Sequence, residues 1–225
     1  MSLDLDNLSR LDLPYHNLVL TGFLGVGKST IAQRISSQLG VDFFDLDEVI
    51  ELHELMSIAK IRELYGDSRL RALEHEQCRQ VALMRRSVVV VPGSVLLDER
   101  NFAPLTETSS VVILSCELGE ALRRLHLSSE QHYRDEVIRR RMLSRLRREH
   151  AVINDTRLIQ LDTTHLSVEE ESDMLIHYWL TGEPQGPLFR FGPPPRFKPP
   201  HRAPVGLSTR VQPGWQAPGE EEPAT

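Results

Sequence analysis

The chain has 225 residues, of which 40% are hydrophobic and 26% charged, and its formal net charge is −6 at pH 7. This length supports one sizeable core, so we expect one domain with appendages. The acidic balance argues against nucleic-acid binding, and no run approaches the roughly 20 apolar residues of a membrane span. Residues 1–16 lack the features of a signal peptide, so we expect a cytoplasmic protein. Cys78 and Cys116 are expected to be buried thiols with no disulfide or metal role.

The strongest motif is GFLGVGKS at residues 22–29, which fits the pattern G-x-x-x-x-G-K-[ST]. Glycines let successive N–H groups turn around a polyphosphate, and the helix that follows presents its N-terminal N–H groups to the same anion. Lys28 is expected to reach the β- and γ-phosphates, and the Ser29 hydroxyl to ligate Mg²⁺. An apolar run before the loop and helical spacing after it predict the strand and helix that this motif needs. The predicted nucleotide-binding residues of this segment are Gly22, Gly25, Val26, Gly27, Lys28, Ser29 and Thr30.

A second short strand is predicted at residues 42–45, and its end carries the sequence Asp45-Leu46-Asp47. Strand periodicity would point both carboxylates to the same side, beside the phosphates. One carboxylate can hold Mg²⁺ through water, and the other can orient or deprotonate an attacking hydroxyl. Alternatively, Asp47 caps a helix that starts near Glu48, and the two roles are compatible.

Two helices are predicted next, at residues 57–66 and 68–86. On the second helix, Arg71 and Glu74 are spaced i, i+3 beside an apolar row. Arg71 could grip a substrate carboxylate while Glu74 holds its guanidinium. The same spacing is also typical of a solvated ion pair on a helix surface.

Three apolar runs predict further buried strands, at residues 87–91, 111–115 and 158–161. A capping box of Ser167 and Glu170 predicts a last helix that continues through Leu180 and ends at Gly182. Because strands and helices alternate along the chain, we predict a doubly wound α/β sheet.

A mobile lid is predicted at residues 126–135, which are polar and aperiodic, with a supporting helix after them. Arginines on that helix could neutralise phosphate charge and exclude water when the lid closes. Most of such a cluster is usually a solvated face, so we expect two or three of them to touch ligand. The arginines are Arg139, Arg140, Arg141, Arg145, Arg147 and Arg148.

Residues 183–225 hold 11 of the 14 prolines of the chain. Such a segment cannot form a core of its own, so we predict a disordered or extended tail. The alternative is that its aromatic residues pack onto the domain or a partner. We therefore divide the chain into an N-terminal extension at residues 1–16, a domain at 17–182 and the tail.

The phosphate loop, the Asp-x-Asp strand end and the Arg/Glu helix together resemble the shikimate kinase family of small P-loop kinases. This resemblance implies a P-loop NTPase fold with five parallel strands in the order 2-3-1-4-5, a lid and a helical substrate-binding region. It also implies Mg²⁺-ATP as the phosphoryl donor and shikimate as the acceptor. In that family, residues equivalent to Asp47 bind the substrate hydroxyls and those equivalent to Asp45 help to place Mg²⁺. The equivalent of Arg71 binds the substrate carboxylate, and that of Arg124 contacts adenine.

The chain departs from the family pattern in three places. Three consecutive glycines of the family are replaced by Pro92-Gly93-Ser94, whose last two residues remain predicted substrate contacts although Pro92 lacks an N–H. The lid arginine of the family corresponds loosely to Arg134. An arginine and a tyrosine four residues apart are replaced by His150 and Asn154, and we assign a substrate contact to Arg148 just upstream.

The sequence thus favours a kinase that transfers the γ-phosphoryl group of ATP to a hydroxyl of a small molecule, acting as a monomer or weak homodimer. Its predicted catalytic residues are Lys28, Asp47 and Arg134. Pro92 and the missing Arg/Tyr pair favour instead a non-catalytic ligand-binding or regulatory module with the same fold. A P-loop kinase for a different polyol or hydroxy acid is a further alternative.

Overall fold

The computed structural model describes residues 13–128 and 136–190. In chain order, the strands of these ranges are β1 (Asn17–Gly22), β2 (Phe43–Asp45), β3 (Val88–Val90), β4 (Ser109–Ser115), β5 (Ile159–Asp162) and β6 (Phe189–Arg190). The helices are α1 (Lys28–Leu39), α2 (Leu46–Glu54), α3 (Ile58–Leu83), α4 (Glu99–Thr108), α5 (Leu118–Ser128), α6 (Glu136–His150) and α7 (Val168–Thr181). Short 3₁₀ turns lie at Val95–Leu97 and Ala151–Asn154.

These strands form one sheet in the order β2-β3-β1-β4-β5-β6. The first five are parallel, which confirms the predicted α/β fold and strand order, and β6 adds a short antiparallel strand beside β5. In the centre of the sheet, Leu18 of β1 lies opposite Val88 on one side and Ser110 on the other. This register brings the carboxyl ends of the strands to one edge of the sheet, where ligands bind in folds of this kind.

Helices cover both faces of the sheet, as the unbroken apolar strands predict. Successive side chains of β1 enter opposite cores because strand residues alternate in direction. Leu18 belongs to the core with Ile31 of α1 and Trp179 of α7. Val19 belongs to the other core with Ile50 of α2. Every residue of β1 is buried, so the phosphate loop that follows it is anchored in the centre of the domain.

The two helices predicted at residues 57–66 and 68–86 are joined in α3, which runs from Ile58 to Leu83. Gly66 marks the junction, with φ 78° and ψ 173° inside an otherwise helical segment. The Ser57 hydroxyl caps the start of α3 by accepting a hydrogen bond from the Lys60 N–H at 3.2 Å. The prediction that one helix ends at Gly66 and a second follows is confirmed, because this glycine adopts a non-helical conformation between two helical segments that form a kink.

The folded domain extends past Gly182, so the predicted start of the tail was placed too early. Phe189 and Arg190 form β6, and the Phe189 side chain is 3% exposed. Its ring centroid lies 5.8 Å from that of Tyr178 on α7. Tertiary packing thus buries an apolar side chain that lies between two prolines. Proline content alone gives no information about such a long-range contact. Residues 191–225 and 1–12 lie outside the described ranges.

The two cysteines are free thiols, as predicted, with Cys78 buried and Cys116 partly buried. Burial raises their pKa values to about 12 and about 11 respectively, so both stay protonated at neutral pH. Of the helices in the described ranges, none combines the length and apolar character needed to cross a bilayer.

We expect Phe189→Ala to lower the free energy of unfolding by about 3 kcal/mol, because it removes a buried aromatic ring from the edge of the core. The control is Arg190→Ala, since the neighbouring Arg190 side chain is 70% exposed and should contribute less than about 0.5 kcal/mol. Urea unfolding monitored by circular dichroism measures both. Equal losses in the two variants would contradict the packing of β6 onto the domain.

Candidate active site

The phosphate loop connects β1 to α1 and requires glycine at its first position. Gly22 has φ 137°, and a Cβ there would lie 2.2 Å from the Leu114 carbonyl oxygen of β4. Gly27, at the N-terminal end of α1, has φ 97°. Because other residues rarely adopt such positive φ values, the glycine spacing is a requirement of the backbone itself.

Lys28 is held close to the loop by its own backbone. Its Nζ donates hydrogen bonds to the carbonyl oxygens of Gly22 and Phe23, both at 3.0 Å. The side chain is 9% exposed, and its Nζ lies 3.9 Å from Oε2 of Glu149. Burial lowers the pKa of Lys28 from its ordinary value, and the charge of Glu149 is the largest effect that opposes this shift.

Asp45 connects the phosphate loop to α2. Its Oδ2 accepts a hydrogen bond from the Ser29 hydroxyl at 2.8 Å, and its Oδ1 accepts one from the Asp47 N–H at 3.1 Å. Asp45 is therefore the N-cap of α2. The alternative role of Asp47 as the cap was wrong, and so was the argument from strand periodicity, because the chain becomes helical at Leu46. Asp45 and Asp47 nevertheless line the same cavity.

Asp47 is paired with an arginine of α6. Its Oδ2 accepts a hydrogen bond from Nη2 of Arg145 at 2.6 Å, between residues 98 positions apart in the chain. Nε of the same guanidinium donates to Oε1 of Glu149 at 2.6 Å. The sequence indicates Arg145 only as one of six clustered arginines, and Glu149 is not among the predicted site residues. Their i, i+4 spacing was the available signal.

Arg124 of α5 lies at the opposite end of the phosphate loop. Its Nη1 donates to the Val26 carbonyl oxygen at 3.0 Å, and its Nη2 donates to that of Thr163 at 2.7 Å. Its Nε donates to Oε1 of Glu120 at 2.8 Å. Arg124 thus joins the phosphate loop to the segment after β5.

A cavity of about 970 Å³ lies over these residues. The predicted site residues that line it are Gly25, Gly27, Lys28, Ser29, Thr30, Asp45, Asp47 and Arg124. Gly22 and Val26 are buried within the loop and lie outside the described cavity wall. Arg145 and Pro92 complete the wall beside Asp47. The phosphate loop and the Asp-x-Asp segment therefore meet at one cavity, as the sequence predicted.

Gly93 allows the chain after β3 to pack closely against neighbouring segments. Its N–H donates to the Gly22 carbonyl oxygen at 3.2 Å, so this N–H is already used. A Cβ on Gly93 would lie 2.6 Å from the Glu149 carbonyl oxygen and 2.8 Å from the Val152 side chain. Gly93 and the partly buried Ser94 are absent from the described cavity wall, whereas the buried Pro92 belongs to it.

Arg71 and Arg148 are exposed and also lie outside the described cavity wall. Glu74 of α3 interacts electrostatically with both Asp47 and Arg71, and Arg148 interacts with Arg62 of the same helix. Burial, and to a smaller extent the charge of Asp47, raise the pKa of Glu74 to about 7. Partial desolvation lowers the pKa of the largely exposed Arg148, and the charge of nearby Arg62 acts in the same direction. The predicted lid residue Arg134 lies outside the described residues.

A phosphate loop after the first strand of a parallel sheet, beside an acidic strand end, places this protein in the class of P-loop α/β proteins. A model of the shikimate kinase family matches residues 24–178, which is more than half of the chain. The chain belongs to the shikimate kinase family.

Individual relatives agree with this assignment. The chain is 28% identical over 160 residues to a shikimate kinase of Thermodesulfovibrio yellowstonii, covering 71% of this chain and 92% of that protein. It is 32% identical over 155 residues to a shikimate kinase of Geobacter metallireducens, covering 68% and 86%. The structure of the shikimate kinase from Acinetobacter baumannii in complex with shikimate superposes with a TM-score of 0.61 at 20% identity, covering 78% and 97%. This structural similarity, at 20% sequence identity, shows a shared fold.

We expect Gly93→Ala to lower the free energy of unfolding by about 1–3 kcal/mol, because the added methyl group must displace backbone at Glu149. Gly119→Ala is the matched control. A Cβ at Gly119 meets nothing within 4 Å, and alanine favours the helix, so this variant should be neutral or about 1 kcal/mol more stable. Thermal or urea unfolding of both proteins tests the contact, and a neutral Gly93→Ala would contradict it.

Proposed function

We propose that this protein catalyses the Mg²⁺-dependent transfer of the γ-phosphoryl group of ATP to a hydroxyl of shikimate. The observation that carries this proposal is that Lys28 of the phosphate loop and the Asp47 carboxylate line one cavity. Membership of the shikimate kinase family supports both the reaction and the acceptor. The protein's own contribution to such a reaction is positioning and charge neutralisation.

The nucleotide would occupy the phosphate-loop end of the cavity. Backbone N–H groups of residues 25–29 and the N-terminus of α1 would bind its phosphates, and Lys28 would leave the carbonyls of Gly22 and Phe23 to reach them. Ser29 and Asp45 offer a hydroxyl and a carboxylate oxygen 2.8 Å apart, which are the hard ligands that Mg²⁺ prefers. The ion would supply positive charge at the transferring phosphoryl group. Arg124 is positioned at the edge of the loop, where the base would lie.

The acceptor would bind beside Asp47. Its carboxylate can accept a hydrogen bond from the attacking hydroxyl and orient it toward the γ-phosphate, once Arg145 shares or releases it. Arg71 interacts with Glu74, which also interacts with Asp47, and Arg148 interacts with Arg62 on the same helix, so their positive charges support an acceptor that carries a carboxylate. The N–H of Gly93 is engaged with Gly22, so we do not assign it a substrate contact.

A non-catalytic nucleotide-binding module is the second candidate, and it is favoured by the ion pair that occupies Asp47. The test is ADP release with shikimate, quinate, gluconate and nucleoside monophosphates as acceptors. Shikimate should accelerate ADP release more than the others. If ATP binds and no acceptor accelerates the release, the non-catalytic module becomes the better description of this protein.

We expect Mg²⁺-ATP to raise the thermal midpoint of the protein, because a ligand that binds only the folded state stabilises it. Lys28→Ala should remove most of this shift. Lys60→Ala is a matched control, since that lysine is half-exposed on α3 and far from the phosphate loop in sequence. Differential scanning calorimetry with and without nucleotide measures the three proteins. Equal shifts in wild type and Lys28→Ala would place the nucleotide elsewhere.

Asp47→Asn should lower kcat by about 10²- to 10⁴-fold without weakening ATP binding, because the side chain keeps its shape but loses the charge that orients the hydroxyl. The control is Asp42→Asn, an exposed carboxylate just before β2 that should retain wild-type turnover. Steady-state kinetics with varied acceptor and varied ATP separate the two effects. Near-normal turnover of Asp47→Asn would show that Asp47 does not act on the acceptor.

A further inference from the structure

Four charged side chains form a continuous row from the phosphate loop to the acceptor side of the cavity. In order they are Lys28, Glu149, Arg145 and Asp47, and we call them the charge row. The contacts along it are 3.9 Å from Lys28 Nζ to Glu149 Oε2, 2.6 Å from Arg145 Nε to Glu149 Oε1 and 2.6 Å from Arg145 Nη2 to Asp47 Oδ2. Positive and negative charges alternate, so each member is held by its neighbours.

Glu149 is the unusual member of the charge row. Its side chain is 2% exposed, and its Oε2 has no hydrogen-bond partner in the described structure. A buried carboxylate oxygen without a hydrogen bond is costly, so its retention calls for a compensating role. The ammonium group that the phosphates are expected to bind, Nζ of Lys28, lies 3.9 Å from that oxygen.

A carboxylate at this place opposes the binding of a polyphosphate. The γ-phosphate would approach Lys28 and therefore also Glu149, and two like charges in a buried site are little screened by salt. The same carboxylate holds Lys28 near the carbonyl oxygens of Gly22 and Phe23. To bind the phosphates of a nucleotide, Lys28 must break its contacts with the carbonyl oxygens of Gly22 and Phe23 and with the Glu149 carboxylate.

We propose that Glu149 is a positioning residue that holds Lys28 and Arg145 in a resting arrangement and thereby limits the affinity for ATP. This inference rests on the proposed function, since it takes the phosphate loop as the nucleotide site. When phosphate takes over Lys28, the charge of Glu149 acts on Arg145 alone. The guanidinium is then drawn toward Glu149 and away from Asp47, which frees the carboxylate for the acceptor hydroxyl.

The charge row therefore links the two halves of the reaction. Because such coupling is reciprocal, ATP should raise acceptor affinity by the same factor by which the acceptor raises ATP affinity. The link consists of side-chain movements, in which Lys28 exchanges its oxygen partners for phosphate and Arg145 shifts from Asp47 toward Glu149.

The test is Glu149→Gln, which keeps the volume of the side chain and an oxygen for Arg145 Nε but removes the negative charge. ATP should bind about tenfold more tightly to this variant, with a smaller gain for ADP, which lacks the γ-phosphate. Isothermal titration calorimetry measures both affinities. General structural damage would weaken binding, so the sign of the change separates the proposed role from a loss of packing.

Two controls complete the experiment. Glu149→Asp keeps the charge and should bind ATP as wild type does, within about threefold. Glu136→Gln removes an exposed carboxylate from the same helix, where it pairs with Arg140 at the same i, i+4 spacing, and should leave ATP affinity unchanged.

Unchanged or weaker ATP binding by Glu149→Gln would overturn the inference. A gain of the same size in Glu149→Asp would do so as well, because the effect would then not follow the charge. The proposed function fails separately, through undiminished ATP binding by Lys28→Ala or the absence of any acceptor-stimulated ADP release.

Discussion

The carbonyl oxygen of Gly22 is the point at which the site is assembled. It accepts hydrogen bonds from Lys28 Nζ and from the N–H of Gly93, at 3.0 and 3.2 Å. The α-carbon of the same glycine lies against the end of β4, where a Cβ would meet the Leu114 carbonyl oxygen. One peptide group thus joins the start of α1, the exit from β3 and the end of β4. The parallel register of the central strands makes this meeting possible, because it brings three carboxyl ends to one edge.

The parts of the site that the sequence predicts are those defined by local pattern. The phosphate loop is specified by glycines at positions of positive φ, and the strand end at Asp45-Leu46-Asp47 lies only a helix away from it. Residues close in sequence are placed by the backbone that connects them. The strand order was also predicted correctly, because the resemblance to the shikimate kinase family covers most of the domain.

The parts that the sequence does not predict depend on contacts between distant segments. Arg145 pairs with Asp47 across 98 positions, and the sequence gives no sign of that contact beyond the i, i+4 spacing of Arg145 and Glu149. The choice of this arginine is made by the direction in which α6 packs, which tertiary structure alone decides. Similarly, the sequence predicts that Gly93 belongs to a substrate-binding loop. The structure shows that glycine is needed there because the Glu149 carbonyl oxygen leaves no room for a Cβ.

The short strand β6 has a consequence for the behaviour of the protein in concentrated solution. It pairs antiparallel with β5, with Arg190 opposite Gln160 and Phe189 opposite Leu161, so part of that edge of the sheet is covered by the protein's own chain. Open edges offer unpaired N–H and C=O groups to strands of other molecules and thereby promote aggregation. These two residues therefore cover part of an edge that could otherwise pair with strands of other molecules. The neighbouring prolines lack an N–H, so they disfavour a longer strand that could itself pair with another molecule.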